Sequence, residues 1–340
     1  MNLPDSNFLP APLWLITVLH ILTLSLHFAA MNFMLGGILI AAAGAFTRHR
    51  DTLLFRRLMA LLPSAMAATV TLGVAPLLFL QLVYPQQMYA AAIVSGWFWL
   101  FVIPVVILAY YFLYAAAFSG KADASRGAGF LWPALPCLFY VSLLYTSVFT
   151  LAERPDLMLQ LYRQSQSGWQ ANPELGYCLL RWLHMILGAV AVGSFFASLL
   201  GKDDPELFPI FKRIYAWGIG IAAAAGLTYL VSLREAMSGL LRGPAAWVLA
   251  AGILVSLGSL YFLWKRLFVF SGLALLTSLV LMVTTRHQLR LLQLQGQFDP
   301  ASWRIAPQWF AFALFAACLA IAGVTVLCLL RLYCRRQPHP

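Results

Sequence analysis

Apolar residues recur along this chain in nearly unbroken runs, separated by short stretches carrying Pro, Gly or charge. Runs of about twenty residues match a hydrocarbon layer of about 30 Å when coiled as helices. Nine are readable: 13–43, 59–83, 93–118, 129–151, 178–200, 212–233, 244–264, 267–287 and 308–331. The pattern predicts an all-α polytopic membrane protein of nine transmembrane helices, a single helical domain over 1–340 with no soluble insertion. A membrane β-barrel would show alternating segments of about ten residues instead. The first run is long for a bilayer and predicts a tilted or protruding helix. The longest connections are 152–177 and 288–307, and Trp264-Lys265-Arg266 reads as a tight hairpin.

Composition agrees. Of 340 residues 62% are hydrophobic and only 10% charged, a balance no ordinary soluble domain has. The net charge of +11 does not indicate nucleic acid, because the Lys and Arg sit at span ends. They report orientation instead. With the N-terminus outside, fourteen Lys and Arg fall on inner segments and seven on outer ones, with Arg181 inside the fifth run. The reading is N-out and C-in. The opening MNLPDSNFLPAP has neither a basic n-region nor a small-residue cleavage site, so no removable signal is expected. The five cysteines form no C-x-x-C pair, which argues against covalent c-type haem and against a disulfide framework. Cys137, Cys178, Cys318 and Cys328 are expected as small core residues.

Histidine is costly inside a bilayer and marks function there. His20 and His184 each lie about six residues from the outer end of their runs, and His287 lies at the outer exit of the eighth. His27 is seven residues beyond His20, so both point the same way. Non-covalent haem b needs one or two His or Met ligands, with Arg or polar groups for its propionates. Arg181, one turn before His184, suits that role; Arg286 and Arg290 flank His287 likewise. The bland alternative is that each histidine bonds a neighbouring helix. Met237, in SLREAMSG after the sixth run, is the best ligand near the seventh, which has no His, Met or Lys. Met31 and Met34 read as packing residues, and His49 and His339 as solvent-facing. The eleven acids lie in loops or at span ends; buried acids for proton coupling are not seen. Trp14, Trp97, Trp99, Trp132, Trp182, Trp303 and Trp309 read as an interfacial belt. Gly36, Gly37, Gly73, Gly188 and Gly193 would permit close helix approach.

The chain resembles subunit I of the cytochrome bd quinol oxidases across most of the nine runs. His20 in LITVLHILTLSLHF and His184 in LRWLHMILGAVAVG match the haem-ligand histidines of that family's first and fifth helices. Leu72-Gly73-Val74-Ala75 looks like its LGVA stretch, with Gln81 near the place of a family acid. Met237 would correspond to its haem b ligand, with Arg234 near the companion Arg, and TTRHQLR falls near its helix-eight segment. There His287 would replace a Glu ligand and Arg286 match an Arg. The chain departs from the family at the outer loop 234–243, cut to about ten residues, in lacking the helix-three acids, and in lacking GRQPW.

The resemblance implies a subunit I-like bundle in the bacterial inner membrane, N-terminus periplasmic, with two or three non-covalent haems b and haem d as an alternative occupant. It implies His20, His184, His287 and Met237 as iron ligands; His27 follows as a candidate from its position on the first helix alone. Expected partners are the lipid bilayer, a second membrane subunit, and a periplasmic c-type cytochrome or a quinol. The expected role is respiratory electron transfer, an oxidoreductase if catalytic, with O2 as one acceptor; no catalytic residue is assigned. The rivals are a haem-free membrane anchor or quinone-site subunit of a periplasmic redox enzyme, and a transporter.

Overall fold

The computed structural model describes residues 8–49 and 51–336; Asp5, Arg50 and His339 lie outside them. Nine described helices are long and apolar enough to cross a membrane, so the chain is an all-α multi-pass membrane protein. The spanning helices are α1 (Leu13–Gly44), α2 (Leu53–Val83), α5 (Val102–Ala122), α6 (Ala124–Ala152), α8 (Leu175–Leu200), α9 (Leu207–Ser232), α11 (Ala245–Trp264), α12 (Phe268–Gln293) and α13 (Trp309–Arg336). Four short helices fill connections: α3 (Pro85–Val94), α4 (Gly96–Leu100), α7 (Pro155–Gln164) and α10 (Arg234–Arg242).

Several helices run past the apolar runs that announced them. Hydropathy stops at a charge, but the backbone ladder does not. Thus α2 begins six residues before position 59, with Arg56 and Arg57 on its exposed side, and α12 continues to Gln293. His287 is therefore inside a helix rather than at its exit. The third run is broken at Phe101, three residues before Pro104, which has no N–H for the ladder and crowds the carbonyl four residues back. The supposed loop 234–243 is mostly the helix α10, and 152–177 contains α7.

The chain divides into two compact units, Leu19–Asp299 and the pair Met1–Val18 with Pro300–Pro340. In the second, β1 (Phe8–Leu9) pairs in parallel with β2 (Arg304–Ile305). Cys318 and Cys328 on α13 are exposed rather than core residues, whereas Cys178 is buried and Cys137 half-buried. In the first unit α5–α6, α8–α9 and α11–α12 pack as hairpins. Its main core joins Met31, Met34, Leu58, Leu62, Leu113, Leu131 and Ala189. Glycine permits close approach where α1 crosses α8: a Cβ on Gly193 would lie 2.6 Å from the Gly36 carbonyl carbon, so the two helices meet backbone to backbone. Gly188 meets nothing within 4 Å and has no such role. Trp182 leaves the expected belt: it donates to Ser142 Oγ at 2.9 Å and stands edge-on to Phe139. His49 is not plainly solvent-facing; its side chain is 17% exposed and lies 3.7 Å from Glu206.

Candidate functional site

The sequence-marked histidines all belong to the larger unit and fall into two kinds. On α1, His27 Nδ1 lies 3.0 Å from the Thr69 carbonyl of α2. On α8, His184 Nδ1 lies 2.8 Å from the Ala222 carbonyl of α9. A carbonyl only accepts, so in both rings Nδ1 carries the proton and Nε2 the lone pair. His20, one of the two strongest ligand candidates from sequence, is 5% exposed and approaches the Pro76 carbonyl; its Nδ1 has no partner among the described residues. His20 and His27 are seven residues apart, as are the α2 carbonyls they face, in the opposite order. Two antiparallel neighbours in register require that. His20 also lies within electrostatic reach of His287 and Arg290 on α12. His287 Nδ1 is buried without a partner among the described residues.

Beside this pair sits the least expected feature of the chain. Glu153, read from sequence as a span-end acid, is 2% exposed at the C-terminus of α6. Its Oε2 accepts from Arg181 at 3.1 Å and from Arg286, and its Oε1 accepts from Arg290 Nε at 3.1 Å. Arg181 and Arg286, the expected propionate partners, are thus first of all partners of a buried carboxylate. Arg181 also donates to Thr150, and Arg286 to Tyr229 and Gln293. Burial would raise the Glu153 carboxyl, but Arg286, Arg181 and Arg290 hold it down to about 2. These four charged groups sum to +2, and a further acid, Asp299, lies within electrostatic reach of the adjoining Tyr84.

The surroundings are polar and incompletely bonded. Arg286 Nε, Tyr84 Oη and Gln87 Oε1 are buried without partners among the described residues. Tyr84, Gln87, Glu153 and Arg290 line a cavity of about 10 Å³, the room of roughly one water. Burial pushes the Tyr84 hydroxyl up, against the pull of Arg290, whose guanidinium lies 5.7 Å from the ring centre.

The remaining candidates are placed less suggestively. Met237 on α10 packs against a cluster of Tyr229, Leu230, Leu240, Ala245 and Leu289 that also touches Leu180, one turn before His184. Arg234 is exposed at the start of α10, with φ of 26°. Among the described residues no group of three or more His, Cys, Asp or Glu is placed to hold a metal ion; haem makes a different demand, one or two axial ligands. Sequence reasoning missed Glu153, Tyr84 and Gln87. A signal existed for the first: LAERPD puts an acid directly against an apolar run. No family model, curated protein or solved structure matches the chain.

Proposed function

We propose that this protein is the haem b-binding membrane subunit of a respiratory electron-transfer complex, built like subunit I of the bd oxidases, N-out and C-in. The observation that carries the reading is the paired build of His27 and His184. Each is on its own spanning helix, and each has Nδ1 tied to a carbonyl. That is the outer-shell bond which orients a ligating imidazole and leaves Nε2 for iron. The donor set would suit haem: imidazoles as iron ligands, and three buried arginines for its carboxylates. His184, Met237 and His27 would hold iron. His20 and His287 are the further ligands, with Arg181, Arg286 and Arg290 for carboxylates. Bound haem would supply a one-electron couple.

The chain's own residues have separate tasks in this reading. The carbonyls of Thr69 and Ala222 orient the two imidazoles. Glu153 keeps three guanidiniums together that would otherwise repel. The apolar helices exclude water from the sites. A periplasmic c-type cytochrome or a quinol would exchange electrons at the outer side, and a second membrane subunit would complete the complex.

The test is the dithionite-reduced minus oxidised spectrum of purified protein, wild type beside His27→Ala, His184→Ala and His20→Ala. Sharp b-type bands, reduced in all three variants, are expected. A long-wavelength chlorin band would identify haem d. A flat spectrum from folded wild type would overturn the haem reading and leave a haem-free anchor.

A further inference from the structure

The bonds of His27 and His184 are two copies of one device. In an α-helix each carbonyl serves the N–H four residues on, and the side chain at that later position leans back over the same turn. It therefore shields the carbonyl's second lone pair. The acceptor for His27 is Thr69, and the residue four places on is Gly73; the acceptor for His184 is Ala222, and the residue four places on is Gly226. A Cβ at Gly73 would lie 2.9 Å from both Nδ1 and Cε1 of His27; one at Gly226 would lie 2.8 Å and 2.7 Å from the same atoms of His184. Real Cβ atoms essentially never come so near. Each ring occupies the volume of the missing methyl group.

The copies extend further. Gly36 follows His27 by nine residues, Gly193 follows His184 by nine, and these two glycines make the α1–α8 crossing. Nine residues are two and a half turns, so each histidine faces away from the crossing, toward its own partner helix. Along both helices the histidine stands about 13 Å from the glycine of the crossing.

We infer that Gly73 and Gly226 are positioning residues, which fix His27 on α1 and His184 on α8 as matched imidazoles protonated at Nδ1 and presenting Nε2 as a ligand nitrogen. That iron is what Nε2 binds rests on the reading above; the tautomers and the glycine role do not. Alanine at either glycine displaces the ring, removes the bond to the carbonyl and frees the imidazole to rotate and exchange tautomer.

The experiment is ¹⁵N NMR of [¹⁵N]histidine-labelled protein in nanodiscs, wild type beside Gly73→Ala and Gly226→Ala, with His27→Gln and His184→Gln for assignment. The wild type is expected to show both rings protonated at Nδ1. Gly73→Ala abolishes that signature for His27 and keeps it for His184; Gly226→Ala does the converse. Protonation at Nε2 in either wild-type ring overturns the inference, even if an alanine variant does not fold. So do alanine variants that retain both signatures. Haem, where present, provides a second readout: Gly226→Ala raises the midpoint potential of the His184-linked haem, because a ligand that loses its Nδ1 acceptor is a weaker donor. An unchanged potential counts against the glycine role. The expected NMR pattern in protein without haem would sustain the inference and sink the haem reading.

Discussion

Replacing Glu153 by Gln leaves three guanidiniums around a neutral amide. In the wild type Arg181 and Arg290 each stand 3.1 Å from the carboxylate, and Arg286 stands closer. The exposures, 16%, 17% and 8% for Arg181, Arg286 and Arg290 and 2% for the acid, leave little room for solvent screening. Breaking such a buried arrangement from one side costs about 3–5 kcal/mol. A second route gives a similar figure. Moving a carboxyl from its ordinary 4.5 to about 2 corresponds to roughly 3 kcal/mol at about 1.4 kcal/mol per pH unit. The sign follows from linkage: a depressed folded-state pKa stabilises above the unfolded value of 4.5, and that stability is lost as pH falls from there through about 2. The assay is unfolding in detergent followed by tryptophan fluorescence, at neutral pH and then down to about pH 2. Glu153→Gln should lose several kcal/mol at neutral pH and should flatten the acid limb that wild type shows. Adding Arg290→Gln removes one excess charge and should recover at least ~1 kcal/mol. A Glu153→Gln variant within ~1 kcal/mol of wild type, or a double variant no better than the single, would refute the buried cluster.

Other outcomes follow from particular contacts. Gly36→Ala drives a Cβ into the Ala189 carbonyl of α8 and should cost about 3 kcal/mol. Gly188→Ala, which meets nothing within 4 Å, should be silent in the same unfolding assay; equal effects would remove the α1–α8 crossing. Tyr215→Phe deletes a buried hydroxyl bonded to Ser259 at 2.5 Å and should cost about 1 kcal/mol. In a cysteine-depleted background Ser167→Cys should react with an impermeant maleimide in intact cells, and Thr47→Cys only after permeabilisation; the reverse pattern would overturn the N-out orientation.

The spans were legible because hydrocarbon imposes a length and a composition on any helix that crosses it, and the nine runs correspond to nine spanning candidates among the described residues. Their ends were not, because Arg56, Arg57, Arg286 and Arg290 interrupt hydropathy while the backbone ladder continues through them. Histidine was legible as chemistry by type alone. Which histidines are built alike was not: His20 and His27 look equivalent along one helix, and only the neighbouring helix separates a ring tied to Thr69 from one whose Nδ1 has no partner among the described residues. Glu153 shows the limit most sharply. By itself it is an acid at the end of an apolar run, a place where acids are usually solvated. Its burial depends on Arg181, 28 residues later, and on Arg286 and Arg290, 133 and 137 later. Local pattern determines which segments enter the membrane. The pairing of charges and the direction of a ring nitrogen depend on which helices touch, and that is decided only when all of them pack.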